Sequence, residues 1–442
     1  MNKQLVNYIK NQGYDISTWF VDEVQKVWHS DRVNEALAVR EYLTGKHKVL
    51  DRELTVWNGQ KIKTKAVVLQ YAKAILNFQT SFVLKNPVTL TSTNQETLEI
   101  FKEIYRKGRY NLVDYRILDK LIKFGEVYEY VYLDSEGIKS KLINKEDAYP
   151  VYDDSGNYIA FIEHYVSNGI SYFTIYTDEK VETYSDEGGT LKKTGEFKNL
   201  SGLPVRYINS DDLDELKGRS DLEDYISILD TMEELISKYI DSFYKFLNPI
   251  PILKGQRLVD KNKPSQDLVG HVLQLDESAN FEFAITKMDY QSLKQLFDIL
   301  KQSLFDISCT PALTFNASEI SNLSETSIKM LFNLAEVKAT MLANILKQGF
   351  YDRFKAIARI LQYLDIVVDV DSLDVVFEFN IPHNASEIID NLKKLREIRA
   401  ISIETLLANA PYVYDVASEL QKIQGEGIYK QDIDIQGTDE LK

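Results

Sequence analysis

Asp211, Asp212, Asp214 and Glu215 form the densest carboxylate cluster of this chain. Carboxylates grouped in this way can hold a divalent cation or, as a pair, move protons. The spacing is not the Asp-x-Asp-x-Asp-Gly of a calcium loop, and nothing in the sequence sets a second carboxylate pair at a catalytic separation. The ordinary reading is a solvated loop; the alternative is a cytosolic metal-dependent hydrolase using Asp211–Glu215. The five histidines (His29, His47, His164, His271, His383) lie far apart, none with a second ligand at i+3 or i+4, which predicts surface or core residues. Cys309 has no neighbouring base and precedes Thr310-Pro311, so it reads as a small buried or loop residue. GxxxxGK[ST], GxSxG and HExxH are missing, and Gly425-Glu426-Gly427 fails GxGxxG because Lys430 occupies the last glycine position. The pattern predicts a structural chain with no catalytic residue, metal or cofactor. Binding chemistry has one candidate, a basic patch of Lys254, Arg257, Lys261 and Lys263 against Asp260, which is either solvated surface or a docking point for a partner.

The elements around these residues carry more information. In the run 219–247, Tyr225, Leu229, Met232, Ile236, Tyr239, Phe243 and Phe246 recur at 4-3-4-3-4-3, a narrow apolar seam. No Pro or Gly interrupts it after Arg219, so the spacing predicts a helix roughly 43 Å long at 1.5 Å per residue. It ends at Asn248-Pro249-Ile250-Pro251, where two prolines remove donors and force extended backbone. Residues 210–247 hold eleven acids against four bases, which reads as a solvated helix face with acids favoured near a helix start. Residues 289–308 predict a second amphipathic helix, so two long helices flank a compact, strand-poor excursion, a hairpin with a knob at its tip. After the polar run 309–324, a helix of about 60 Å is expected from Ser324 to about Leu364, with Asn322 and Glu325 resembling a capping box and Gly349 allowing a kink.

Upstream, residues 64–84, 94–107 and 111–124 have helical spacing, with Gly108 where a helix end is wanted. From Gly125 the period becomes two. Segments such as VYEYVYL, YIAFIEHYV and SYFTIYT, separated by Gly, Asn and Asp turns, predict an antiparallel meander. A strand over 375–379 and helices over 385–399 and 402–409 follow.

The chain has 442 residues, enough for several domains, and 44% hydrophobic with 27% charged residues is ordinary for a folded protein. Its 27 tyrosines suit half-buried sheet faces and interfaces. One cysteine excludes an intramolecular disulfide framework. No apolar run reaches membrane length and MNKQLVNYIKNQG lacks a signal core, so a cytoplasmic origin away from membranes is expected. The net charge of −15 argues against tight wrapping of nucleic acid, yet permits loose sliding contact.

Several segments taken in order resemble a known family. Gly218-Arg219-Ser220-Asp221-Leu222-Glu223, with Leu229-Asp230 and Ser237, resembles the G-x-S-D-[LF]-E…L-[ID]-D…S run that opens the stem of tailed-bacteriophage portal proteins of the Gp6-like (SPP1-type) family. Phe124-Gly125-Glu126-Val127-Tyr128 before the meander, and Leu300 to Phe305 followed by Thr310-Pro311, support the likeness. So does Ile401-Ser402-x-Glu404-Thr405 with Pro411, Asp415 and Glu419. Residues 321–329 (SNLSETSIK) depart from the family's small SG-x-A-x-K pattern.

The resemblance implies an α+β, multidomain portal fold with long stem helices, an antiparallel β meander in the wing and a helical C-terminal crown. It implies a wing (1–214, with 323–382 returning through it), stem helices (215–247 and 289–308), a clip (248–288), a tunnel loop (309–322) and a crown (383–442). It further implies a homo-oligomeric ring, usually a dodecamer, at one capsid vertex of the virion, assembled in the host bacterial cytoplasm. Double-stranded DNA would pass through the channel without sequence specificity. Implied partners are the large terminase subunit, a head-tail adaptor or head-completion protein, and the major capsid and scaffolding proteins. Phe315, Asn316, Ser318, Glu319, Ser321 and Asn322 would fall in the tunnel loop. Lys254, Arg257, Lys261 and Lys263 would fall on the clip, where terminase and adaptor dock. The seam from Tyr225 to Phe246 is expected to pack on a neighbouring copy, because head-to-tail contacts that close make rings.

Overall fold

The computed structural model describes residues 3–52, 55–57, 60–62, 65–210, 214–246, 250–254, 280–284, 290–311, 324–382, 385–413 and 416–425. The fold is α+β. Helices α1 (Lys3–Gln12), α2 (Trp19–Val24) and α3 (Val27–Leu43) lead to a short hairpin of β1 (Thr55–Trp57) and β2 (Gln60–Ile62). Then come α4 (Tyr71–Leu84), β3 (Thr89–Ser92), α5 (Gln95–Gly108) and α6 (Tyr110–Phe124). The start of α4 lies later than its spacing predicts, because residues 65–70 have another task, described below. Asn94 caps α5 by accepting from the Thr97 N–H at 3.1 Å. Its far end differs from expectation: Arg109, not Gly108, takes the left-handed conformation, at φ 53°. Gly108 is needed for space, since a Cβ there would sit 2.6 Å from the Tyr110 ring.

The predicted meander exists but divides into two sheets. Strands β4 (Glu126–Asp134) and β5 (Gly137–Asn144) pair with β11 (Val205–Ile208) in the order β11-β4-β5. The other strands are β6 (Ala148–Tyr152), β7 (Tyr158–Ser167), β8 (Ile170–Tyr176), β9 (Lys180–Ser185) and β10 (Lys192–Lys198), in consecutive antiparallel order. Tyr128 and Tyr130 of the smaller sheet meet Phe161 and Tyr176 of the larger one, with ring centroids 4.9 and 4.6 Å apart. Tyrosine suits this position: its ring fills the gap and its hydroxyl finds Glu126, Asn199 or Glu163. Helices α1 and α2 cover the larger sheet, with Leu5, Ile9 and Phe20 against Ile162 and Phe173.

Helices α7 (Ile226–Phe246) and α8 (Tyr290–Ile307) form the expected long hairpin. The predicted 29-residue helix is shorter, because residues 221–224 form a 3-10 turn and Tyr225 has φ −129°. Between them β12 (Ile250–Lys254) and β13 (Asn280–Ala284) pair antiparallel, so the strand-poor excursion is closed at its base by a two-stranded ladder.

The long helix α9 (Glu325–Tyr363) has 39 residues, against the 41 expected. Ser324, not Asn322, caps it, accepting from the Ser327 N–H at 3.2 Å. The helix continues through Gly349, where a Cβ would fall 2.2 Å from the Tyr207 ring. The glycine admits β11 against the helix. Ala335, Ala339, Leu342, Leu346, Phe350, Phe354 and Ile357 bury the inner face of α9 against α4, α5, α6 and β4, the largest core among the described residues. Within that core lies Arg353, fully buried and bonded to Asp114 at 2.6 Å, Glu129 at 2.8 Å and the Tyr105 hydroxyl at 3.1 Å.

Strand β14 (Leu373–Val376) pairs with β3, two residues earlier than expected. Helices α10 (Ala385–Glu397), α11 (Ile403–Asn409) and α12 (Val416–Gly425) follow. Ser402 caps α11 through the Thr405 N–H at 3.1 Å. Among the described residues, no helix is long and apolar enough to cross a membrane.

Candidate subunit interface and stem junction

Two separated sequence motifs, Phe124-Gly125-Glu126 and Gly218-Arg219-Ser220-Asp221, meet in space. Gly125 ends α6 at φ +80°, and a Cβ on it would lie 2.4 Å from the Arg219 nitrogen. A Cβ on Gly218 would lie 2.2 Å from the Gly125 carbonyl oxygen. Only glycine at both positions allows this backbone-on-backbone crossing. Asn209 secures it: its N–H donates to Gly125 O, and its carbonyl accepts from the Arg219 N–H, both at 2.8 Å.

Each motif residue then has a separate physical task. The Ser220 hydroxyl accepts from the Leu222 N–H at 3.2 Å, and Glu223 reaches back to the Ser220 N–H at 3.3 Å, a capping box on the 3-10 turn that leads into α7. Asp221 takes the Asn209 amide at 2.9 Å and Lys338 of α9 at 2.9 Å. Burial pushes its carboxyl up, and Lys338 offsets only part of that. Under the crossing, Arg32 grips Glu126, with Nε to Oε1 at 3.0 Å, and both side chains are fully buried. Lys145 donates to Gly218 O at 2.8 Å. Burial alone would raise the Glu126 carboxyl; the Arg32 guanidinium, Lys145 and the Tyr128 hydroxyl outweigh it and hold the group below its usual range.

Below the junction, α7 is strapped to its own subunit. The Glu233 carboxylate accepts from the Leu69 N–H at 2.7 Å and lies 2.8 Å from His47 Nδ1. Val67 donates its N–H to the Ser237 hydroxyl at 3.0 Å, and Arg52 reaches Asp241 at 2.6 Å. Burial raises the Glu233 carboxyl, against the pull of the Leu69 N–H and His47. The expectation of a solvated acidic face holds in part: Glu223, Asp224 and Glu234 are exposed, whereas Asp221 in the turn before α7 and Glu233 and Asp241 on it are buried.

The apolar seam is corrected likewise. Tyr225, Leu229 and Met232 are at most 1% exposed in the single subunit, packed with Val39, Tyr42, Ala72, Ile75 and Leu304. A neighbouring copy cannot cover what the subunit already buries. Periodicity revealed an apolar face and could not reveal whose surface meets it. Ile236 and Tyr239, further along, are half-buried; the side chains of Phe243 and Phe246 lie outside the described residues. At the end of α8, the Gln79 amide donates to Ser308 O at 2.9 Å, and Cys309 turns the chain at φ +51° and lines a small cavity with Phe78, Ala335 and Lys338.

The remaining sequence-derived sites are placed only in part. Phe315, Asn316, Ser318, Glu319, Ser321 and Asn322 lie outside the described residues, as do Arg257, Lys261 and Lys263. Lys254 is exposed at the end of β12. Of the acidic cluster, Asp211 and Asp212 lie outside the described residues; the Asp214 carboxylate holds a turn by accepting from the Leu216 N–H at 2.9 Å. His29 lies in the core beside Glu23 and Arg32, His47 beside Glu233, and His164 stacks on Phe173 at 4.3 Å. His271 and His383 lie outside the described residues. Arg32, Lys145, Asn209 and Lys338, which hold the junction, carry no periodic or motif signal in the sequence.

A profile described as phage portal protein, SPP1 Gp6-like, matches residues 26–432, so the chain belongs to that family of portal proteins, a structural family. A portal protein of Bacillus phage SPP1 is 22% identical to it over 390 residues, covering 80% of this chain and 74% of the relative. Among solved structures, the neck of an empty GTA particle computed with C6 symmetry is similar at TM-score 0.47 and 11% identity, covering 75% of this chain and 87% of that one. The neck of a native GTA particle computed with C12 symmetry is similar at TM-score 0.44 and 9% identity, covering 77% and 88%.

Proposed function

We propose that this chain builds a closed ring of twelve copies at one vertex of a phage capsid and serves there as the DNA channel. The family match across residues 26–432 carries the reading. The physical arrangement supports it: α7 and α8 form a long hairpin, which His47, Arg52, Val67, Leu69 and the glycine crossing tie to the α+β body. The half-buried lower seam, Ile236 and Tyr239 with Phe243 and Phe246 beyond, contributes to subunit contact. A chain of net charge −15 suits a channel wall that must let duplex DNA slide.

In this reading the paired β12 and β13 form the base of the clip. Lys254, Arg257, Lys261 and Lys263 dock the large terminase subunit during packaging and a head-tail adaptor or head-completion protein afterwards. Residues 309–322, with Phe315, Asn316, Ser318, Glu319, Ser321 and Asn322, form the tunnel loop facing DNA. The wing and the crown 383–442 meet the major capsid and scaffolding proteins. The ring assembles in the host bacterial cytoplasm and ends in the virion. The chain itself hydrolyses nothing, and a partner supplies ATP turnover.

Mass photometry and negative-stain imaging of the purified full chain test this. Twelve copies of a 51.0 kDa chain should appear as rings with an axial hole, roughly 600 kDa in mass if the rotation closes. A monodisperse monomer across the concentration range, or metal-dependent hydrolysis by the isolated chain, would overturn it.

A further inference from the structure

The upper seam of α7 is spent inside the subunit, yet the fold leaves two other apolar stripes uncovered. On α9, Met330, Leu334, Val337 and Met341 are 52–73% exposed. At 100° per residue they fall within about 60° of arc, opposite the face that Ala335, Ala339 and Leu342 bury against α4. On α8, Leu296, Ile299 and Ile307 are 47–55% exposed, within about 80° of arc, flanking the face of Phe297, Leu300 and Leu304 that packs inward and centred about 90° round the helix from it. Each stripe spans twelve residues, eleven rises or about 17 Å of helix.

We infer that the α9 stripe of one subunit packs on the α8 stripe of the next copy, so that these two helices, rather than the upper half of α7, form the ring's seam. The inference rests on the ring proposed above and names the surfaces that close it. A head-to-tail contact needs two different patches on one molecule, and these two stripes are different, matched in length and borne by separate elements. The two helices also come near one another, since Cys309, just beyond α8, lines a small cavity together with Ala335 and Lys338 of α9. Charge favours self-contact too. Between residues 330 and 346 the charged side chains are Glu336 and Lys338, and Lys338 is bound to Asp221. A chain at −15 thus presents a nearly neutral strip, where like-charge repulsion between copies is least.

The test uses the full chain carrying p-benzoylphenylalanine at position 337, assembled from mixed light and heavy isotope subunits. Irradiation should join residue 337 to a peptide from 290–307 of a subunit with the other label. Capture only within the same chain, for instance by 312–323, would refute the pairing. In parallel, Leu334→Asp with Val337→Asp should lower ring yield at least tenfold. The milder Leu334→Gln with Val337→Gln should lower it measurably, with circular dichroism of the subunit unchanged because both positions are exposed. Rings that form undiminished from both variants would sink this inference and leave the portal reading standing. A wild-type chain that never forms rings would sink the portal reading first.

Discussion

Replacing Arg353 with methionine tests how the main core is held. The guanidinium is fully buried and serves Asp114, Glu129 and Tyr105 together, with the Phe350 ring 4.5 Å from its centre. Methionine keeps much of the volume and removes the charge, leaving two carboxylates facing each other without their cation. Breaking such a buried group by removing one partner costs about 3–5 kcal/mol. The cost should depend on pH. Burial raises the Asp114 carboxyl from 3.8 to about 6, even though Arg353 pulls it down. A folded-state value above the unfolded one means that the native state binds the extra proton. The group's contribution to stability is therefore complete below pH 3.8 and is lost as pH rises through about 6. That change amounts to about 3 kcal/mol.

Without Arg353 the same carboxyl must rise further, so the variant can hold a proton on Asp114 at pH 5 and tolerate its burial. At pH 7.5 it holds that proton less completely. Urea unfolding of Arg353→Met and wild type, followed by circular dichroism at pH 5.0 and 7.5, should show a stability loss at least 1 kcal/mol larger at the higher pH. Adding Asp114→Asn and Glu129→Gln should recover most of the loss. An equal loss at both pH values, or a loss below 1 kcal/mol, would show that the network is not what anchors α9 to α6 and β4.

Met232→Ala should destabilise the subunit itself by about 2–5 kcal/mol, as for a large buried side chain; lost rings with an unchanged urea midpoint would restore the seam to an intersubunit role. Glu233→Ala removes the acceptor for the Leu69 N–H and the partner of His47, and amide exchange over 65–70 should then quicken at least tenfold while the α9 core stays protected. Gly349→Ala forces the Tyr207 ring away from α9 and should cost about 1–3 kcal/mol by overpacking, read from the thermal midpoint. Reversing charge at Lys254, Arg257 and Lys261 should weaken adaptor or terminase docking at least fivefold with the ring intact, and undiminished docking by surface plasmon resonance would remove those residues from the contact.

Local signals were strong enough in this chain to be read without coordinates. Spacing placed helices over 94–107 and 402–409, and the structure adds that Asn94 and Ser402 cap them, because a short side-chain oxygen can satisfy an N–H two or three residues on. Gly125 stops α6, the prolines after residue 248 end the α7 run, and the change from period 3.6 to period 2 near Gly125 marks the sheets. The order of weak motifs pointed to the portal family for a related reason: the glycine crossing and the Ser220 capping box each demand particular residue types. Such demands leave a readable trace.

What tertiary structure decided was ownership. A helix with an apolar face must bury it, but spacing cannot name the partner, so the seam assigned to a neighbour proved to belong, over Tyr225, Leu229 and Met232, to the subunit's own α3, α4 and α8. The division of the strands into two sheets was undetermined for the same reason, since alternation gives a strand two faces without saying which strand lies across the gap. Gly349 shows the limit most clearly: its place inside a helix suggested a bend, and only the Tyr207 ring, 142 positions away in the chain, supplies the reason it must lack a side chain. Short-range demands are written in consecutive residues, whereas contacts between distant segments exist only once the chain has closed on itself.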